Sequence, residues 1–353
     1  MRREEELLLG LVRAALGHGT EVAVPEGVSW DALLRLADAQ GVAAIAADGL
    51  QRASVTLPAA VRMQLASRVL LHERVYRRHE QLMVKLARIY RKGGFRMMVL
   101  KGWGLSLNYP VPEHRPSGDL DIWNFGQWRE ADAYVAGKGV TIDNSHHHHS
   151  VFYVEDLMVE NHYDFINVHA HRSSRRIERK LKELASVGYA RKEADGEEVF
   201  LPSADFNALF LLRHCGSHFT GKEMTLRQLL DWALFWEHHH QEVRWQELSD
   251  YLKGEKLWRF FNLLNLLCVE RLGFDAAMFP YQLEDDGLKE RVFRDIIAPE
   301  FDEEVKGSVL RRAVTKTRRW WHNRWKNRLC FSDSLLSSFI HGTWAKVLKP
   351  GNF

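Results

Sequence analysis

Cysteine is scarce in this chain: three residues in 353, at Cys215, Cys268 and Cys330. Set far apart, they provide neither a disulfide framework nor a thiolate metal knuckle, and they suit a reducing compartment. Long apolar runs are missing as well. No stretch reaches the roughly 18 uninterrupted apolar residues of a membrane helix, and acidic residues break the opening segment, unlike a secretory leader. A cytoplasmic location is therefore expected. Nor is there an excess of one charge. Lys and Arg number 49 against 46 Asp and Glu, and a net charge of +3 implies no polyanionic partner by itself. No internal repeat is visible. What is present is ordinary globular material: 46% hydrophobic and 27% charged residues, enough to build a sizeable core. At about 100–200 residues per domain, the length suggests two or three units.

Hydrophobic periodicity divides the chain. Residues 1–92 read as helical, with Leu33, Leu34, Ala37 and later Leu65, Val69, Leu82, Leu86 and Ile89 at helical spacing, and Pro25 and Pro58 as breaks. Gly93-Gly94 ends this region. Residues 93–200 are mixed. The short apolar run Phe95–Leu100 reads as a buried strand, and Trp103–Tyr109 as a short helix. Asp119–Trp123, Val151–Val154 and Leu157–Tyr163 read as further strands, with Gln127–Gly137 as a helix between them. From residue 201 to 353 the pattern is helical again. The expected fold class is α+β, an α/β core flanked by N-terminal and C-terminal helical units.

The core holds the most informative segment, Leu100-Lys101-Gly102 followed by Gly118-Asp119-Leu120-Asp121-Ile122. Aspartates at i and i+2 on a strand share a face. Side by side they repel unless something positive sits between them, and a divalent cation such as Mg²⁺ does this while also taking phosphate oxygens. An upstream glycine turn that opens a helix offers N–H groups to a phosphate. This order of elements is the plan of the nucleotidyltransferase fold, in which two metal ions activate an attacking hydroxyl and stabilise the departing pyrophosphate.

The stretch Val99–Pro110, then Arg115-Pro-Ser-Gly-Asp-Leu-Asp-Ile122, resembles the bacterial uncharacterised nucleotidyltransferase family. Trp30–Ala37, Val159–His162, Leu212–His218 and Leu226–Asp231 resemble further family segments, so the likeness runs over residues 5 to 270. The resemblance implies an enzyme that moves a nucleoside monophosphate from an NTP, ATP among them, to a hydroxyl-bearing acceptor: a small molecule, a sugar, a protein or an RNA end. It implies a two-metal site for Mg²⁺, or Mn²⁺, on Asp119 and Asp121, with Glu160 as the third carboxylate. It also places Lys101, Gly102 and Arg115 at the nucleotide. The chain departs from the pattern in a longer gap between Gly102 and Asp119, and in Trp103 after the glycine. Read as residues alone, Glu160 is either a ligand or a solvated strand residue, and Lys101 and Arg115 either meet phosphate or form internal salt bridges.

Histidines supply the remaining candidates. His146–His149 read as an exposed polar loop, because successive residues cannot all converge on one ion. His162, two residues from Glu160, either lines the site or is a packed structural histidine. His214 and His218 share a helix face, but the glutamate of a zinc protease motif is missing between them. With Arg227 and Asp231 on the next helix, His214 belongs either to a polar network at the cleft or to helix packing. Finally, residues 306–328 carry nine basic residues and no acidic one, with Trp320, Trp321 and Trp325 interleaved. That segment fits nucleic-acid contact, an anionic membrane surface or a basic face over a tryptophan core. The alternatives to the transferase are thus a non-catalytic nucleotide-binding regulator and a nucleic-acid-binding protein acting through this segment.

Overall fold

A six-stranded mixed sheet lies at the centre, in the spatial order β3-β4-β2-β1-β6-β5. The structure is a computed structural model that describes residues 2–334 and 337, apart from 20, 170, 222–223, 286 and 301–308. The strands are β1 Met98–Val99, β2 Leu120–Trp123, β3 His149–Val154, β4 Leu157–His162, β5 Tyr189–Ala194 and β6 Glu197–Pro202. β2 runs parallel to β4, and β1 parallel to β6; the remaining neighbours are antiparallel. Among the described residues fourteen helices surround the sheet, so the molecule is α+β, as expected. No helix among those residues is long and apolar enough to cross a membrane.

The alternation of strand side chains decides what each face does. Val99, Leu120, Ile122 and Val159 point to one face and meet Leu82, Met83, Leu86 and Tyr90 of helix α4 (Ala59–Lys92), together with Ala131 and Val135 of α6 (Trp128–Ala136). Met98, Leu100, Trp123 and Phe200 join the second core, which extends through Phe165, Ile177, Phe206 and Phe210 into the C-terminal helices. Asp121, Glu160 and His162 alternate with the first set, so the core under one face obliges them to stand on the other.

Several expected elements are shorter than their apolar runs. Only Met98–Val99 of the run Phe95–Leu100 is strand, and just before it the Asn124 side chain donates to the Arg96 carbonyl at 3.0 Å. The helix expected over Trp103–Tyr109 is a single turn, α5 (Trp103–Ser106). Two elements were not anticipated: α7 (Ser174–Val187) and the β5–β6 hairpin that closes the sheet.

The N-terminal helices α1 (Arg3–Leu16), α2 (Trp30–Ala39) and α3 (Ala43–Arg52) share the second core with the C-terminal unit. Gly49 lets α3 approach α1 closely, for a Cβ there would lie 2.0 Å from the Leu11 carbonyl oxygen. Gln40 joins the two ends of the chain. Its buried amide donates to the carbonyls of Ile296 and Ile297 at 3.1 and 3.3 Å and accepts from the Leu226 N–H at 2.8 Å.

The turn after β4 is held by a buried acid. Glu178 on α7 accepts from the N–H groups of Phe165 and Ile166, both at 3.0 Å. Burial pushes its carboxyl up to about 7. The folded value lies above the unfolded value of about 4.3. Its contribution to stability is therefore complete below about pH 4.3 and is lost as pH rises through about 7. Urea denaturation at stepped pH is expected to show on the order of 3 kcal/mol disappearing over that window. Glu178→Gln should flatten that slope; a variant that tracks the wild type would remove Glu178 as its source.

Candidate active site

Register builds the site. Asp121 on β2 lies directly beside Glu160 on the parallel strand β4. His162, two residues on, projects from the same face, and β3 sets His149 opposite His162. Asp119 immediately precedes β2, close enough to feel the charges of Asp121, Lys101 and Glu160, and is exposed, whereas Asp121 is 2% exposed. The Lys101-Gly102 turn abuts this edge. Gly102 has φ +54° and ψ −111°, a backbone region that disfavours other residues, and its missing Cβ would lie 3.5 Å from the Asp119 carbonyl oxygen.

The charges form one network. Lys101 Nζ donates to Asp121 Oδ1 at 2.8 Å, and His162 Nε2–H donates to the same oxygen at 3.0 Å. Glu160 Oε2 is 3.6 Å from His162 Nε2 and 3.5 Å from His149 Nδ1. Burial by itself would push the Asp121 carboxyl up, but Lys101 and then His162 hold it well below the carboxylate range. Burial also disfavours protonated His162, yet its bonds to Asp121 and Glu160 lift the imidazole to about 9. For Lys101 the attraction of Asp121 and Asp119 outweighs burial, and the ammonium stays charged. Glu160 is likewise buried against its charge and kept low mainly by His162. Crowding by surrounding protein, then the charge of Asp121, pushes Asp119 up. Three carboxylates thus face two cations, and the site retains a net attraction for positive charge.

His214 on α8 (Ala204–Gly221) borders this cluster. Burial and then the charge of Lys101 keep its imidazole neutral, well below the usual histidine range. Its ring lies 4.4 Å from that of His218. Arg115 and Asp231 form a separate buried unit. Arg115 Nε and Nη2 donate to the two oxygens of Asp231 at 2.7 and 2.9 Å, and the Tyr109 hydroxyl donates to Oδ1 at 2.8 Å. Asp231 lies on α9 (Leu226–His239), and the charge of half-buried Arg227 on the same helix also helps hold its carboxyl low. This network ties the loop between the glycine turn and Asp119 to the C-terminal unit. The guanidinium of Arg115 is committed to that tie, 5% exposed.

The histidine run does not form an exposed loop. His147 and His149 are each 6% exposed, and His149 opens β3. The reason lies in the backbone: the His148 carbonyl accepts from the N–H groups of Tyr163 and Asp164 at 3.1 and 3.0 Å, which carries the β3–β4 pairing past the expected start of the strand. His148 and His149 are site residues that the sequence reading missed. The signal was there, since Val154 faces Leu157 across a tight turn, and counting back along the hairpin brings His149 opposite His162.

The C-terminal basic segment divides between surface and core. Residues 306–308 lie outside the described residues. Lys326 is 2% exposed and paired with Asp295 at 2.5 Å, and the Arg291 guanidinium lies 4.1 Å over the half-buried Trp325 ring. Trp321 is 62% exposed with the Arg324 guanidinium 4.7 Å over its ring. At least Lys326 and Trp325 therefore pack the fold.

The donors suit a divalent cation. Ligand atoms of Asp121, Glu160 and His162 lie within 4.8 Å of one another, on strands that fix their spacing. Comparison with known proteins gives one finding: the model of the family described as "Uncharacterised nucleotidyltransferase" matches residues 26–273, well over half of the chain. No curated protein and no solved structure matches it.

Proposed function

The chain belongs to the uncharacterised nucleotidyltransferase family, and from that premise we propose that it transfers a nucleoside monophosphate from an NTP to a hydroxyl-bearing acceptor in a reaction that depends on Mg²⁺ or Mn²⁺. The observation that carries this reading is the side-by-side placement of Asp121 and Glu160 on parallel strands, with Lys101 2.8 Å from Asp121 and Asp119 at the solvent edge.

Asp119, Asp121 and Glu160 would hold the cation, which when bound supplies charge neutralisation for the triphosphate and lowers the pKa of a bound hydroxyl. Lys101 neutralises Asp121 in the free protein, and as a mobile point charge it can turn to phosphate when the triphosphate arrives. The acceptor oxygen attacks the α-phosphorus, the bond from that phosphorus to the bridging oxygen breaks, and pyrophosphate leaves. Glu160, kept ionised by His162, accepts the acceptor's proton. Asp231, through Arg115, positions the loop that carries Gly102 towards Asp119.

Pyrophosphate release from each of the four NTPs, with Mg²⁺ or Mn²⁺ and a cell extract as the acceptor source, tests this. Wild-type release is expected, and loss in Asp119→Ala, whose exposed side chain can be removed without opening the core. NTP binding by calorimetry without release would instead favour a non-catalytic nucleotide-binding regulator.

A further inference from the structure

Beside the carboxylates stands a group of imidazoles, of which the transferase reading gives only His162 a task. The His148, His149 and His162 rings lie close together: the centroid distances are 4.4 Å for His148–His149, 5.1 Å for His149–His162 and 5.5 Å for His148–His162. One ring nitrogen from each lies within 4.8 Å of the others.

Their partners are incomplete. Both ring nitrogens of His149 and the Nδ1 of His148 are buried without a hydrogen bond. Buried polar atoms are ordinarily paired, and leaving them unpaired is costly unless something accepts them. His149 is 6% exposed and 3.5 Å from Glu160, outside hydrogen-bond geometry but close enough to share a ligand with that carboxylate. His148 is half-buried.

The geometry points to a nitrogen-preferring divalent cation site: we propose that His148, His149 and His162, with Glu160 as the oxygen donor, bind one ion of the zinc class. Three imidazoles and a carboxylate make the donor set and number of a four-coordinate zinc site. Mg²⁺ prefers oxygen ligands, so this set discriminates against it, whereas Zn²⁺ and Co²⁺ accept imidazole readily. Binding the ion requires His162 to release to solvent the Nε2 proton that it otherwise donates to Asp121. The inference does not rest on nucleotidyl transfer; it shares Glu160 and His162 with the proposed active site but uses neither Asp119 nor Lys101.

The test uses the full chain stripped of metal by a chelator and titrated with Co²⁺ alone, then with Zn²⁺ against a chromophoric chelator. One equivalent of Co²⁺ with the intense visible absorption of a four-coordinate site is expected. His149→Gln and His148→Gln should each weaken Zn²⁺ binding by more than about 100-fold, since losing even an outer partner of a metal ligand costs about 10–100-fold. The triple change of His238, His239 and His240 to Gln, which removes a surface run, should leave binding intact. Asp119→Ala should also keep Zn²⁺ binding, so a loss of pyrophosphate release in that variant concerns the transferase reading alone. A weak six-coordinate Co²⁺ spectrum, or Zn²⁺ affinity equal in wild type and His148→Gln, overturns the proposal. Should His149→Gln fail to fold, the wild-type Co²⁺ spectrum and the half-buried His148 variant still decide it.

Discussion

Asp121→Asn should reduce nucleotidyl transfer by more than about 100-fold and also destabilise the protein, and one further substitution should separate the two effects. The carboxylate does two jobs. It is a ligand in the proposed active site, and losses around metal ligands cost about 10–100-fold even when only an outer partner is removed. It is also the counter-charge of Lys101 and His162, both of which donate to Oδ1. Removing one partner of a buried pair leaves an uncompensated charge at a cost of about 3–5 kcal/mol; Lys101 is 17% exposed, which places the expected value near the lower end. Asp121→Asn/Lys101→Met removes both charges of that pair. This double variant should regain part of the lost stability by urea denaturation, His162 still lacking its partner, and should release less pyrophosphate than Lys101→Met alone, which serves as its control. Recovered activity in the double variant would mean that Asp121 serves the fold and not the chemistry.

Asp231→Ala is expected to be the most destabilising single change outside the site. It strands the Arg115 guanidinium and the Tyr109 hydroxyl in the interior, where the two side chains of the ion pair are only 5% and 8% exposed. The bidentate geometry and the third hydrogen bond put the loss at about 3–5 kcal/mol. Tyr109→Phe removes one neutral donor and should cost about 1 kcal/mol. Because the pair anchors the loop between Gly102 and Asp119, Asp231→Ala should raise the KM for NTP more than it lowers kcat at a temperature where the variant is still folded. An unfolding free energy that changes by less than about 0.5 kcal/mol, the range of ordinary surface changes, would show that Arg115 is not held by this pair in solution and would return it to the nucleotide.

Much of the site was legible one residue at a time. The i, i+2 spacing of Asp119 and Asp121 brings both carboxylates to one end of β2, although Asp119 lies just outside the strand. The same spacing puts His162 with Glu160, and the glycine at 102 marks a backbone turn that few other residues can make. Each of these follows from local geometry, which sequence carries directly. The three-part order of helical, mixed and helical regions follows in the same way from the period of the apolar residues.

Other features depended on partners far away in the chain. Arg115 looks like a loop cation until α9 brings Asp231 against it across more than a hundred residues. Lys326 looks like part of a basic surface until Asp295 meets it in the interior. His148 and His149 look like a polar loop, and they become part of the site only because the β3–β4 pairing continues past the last apolar residue of the strand. By itself the sequence determined the carboxylate face, the glycine turn and the family plan, because those rest on covalent spacing and backbone conformation. Only the tertiary structure decided which charges are spent on one another and which are left for a ligand, because a charge's role depends on its nearest opposite charge in space, and burial makes that choice expensive to reverse.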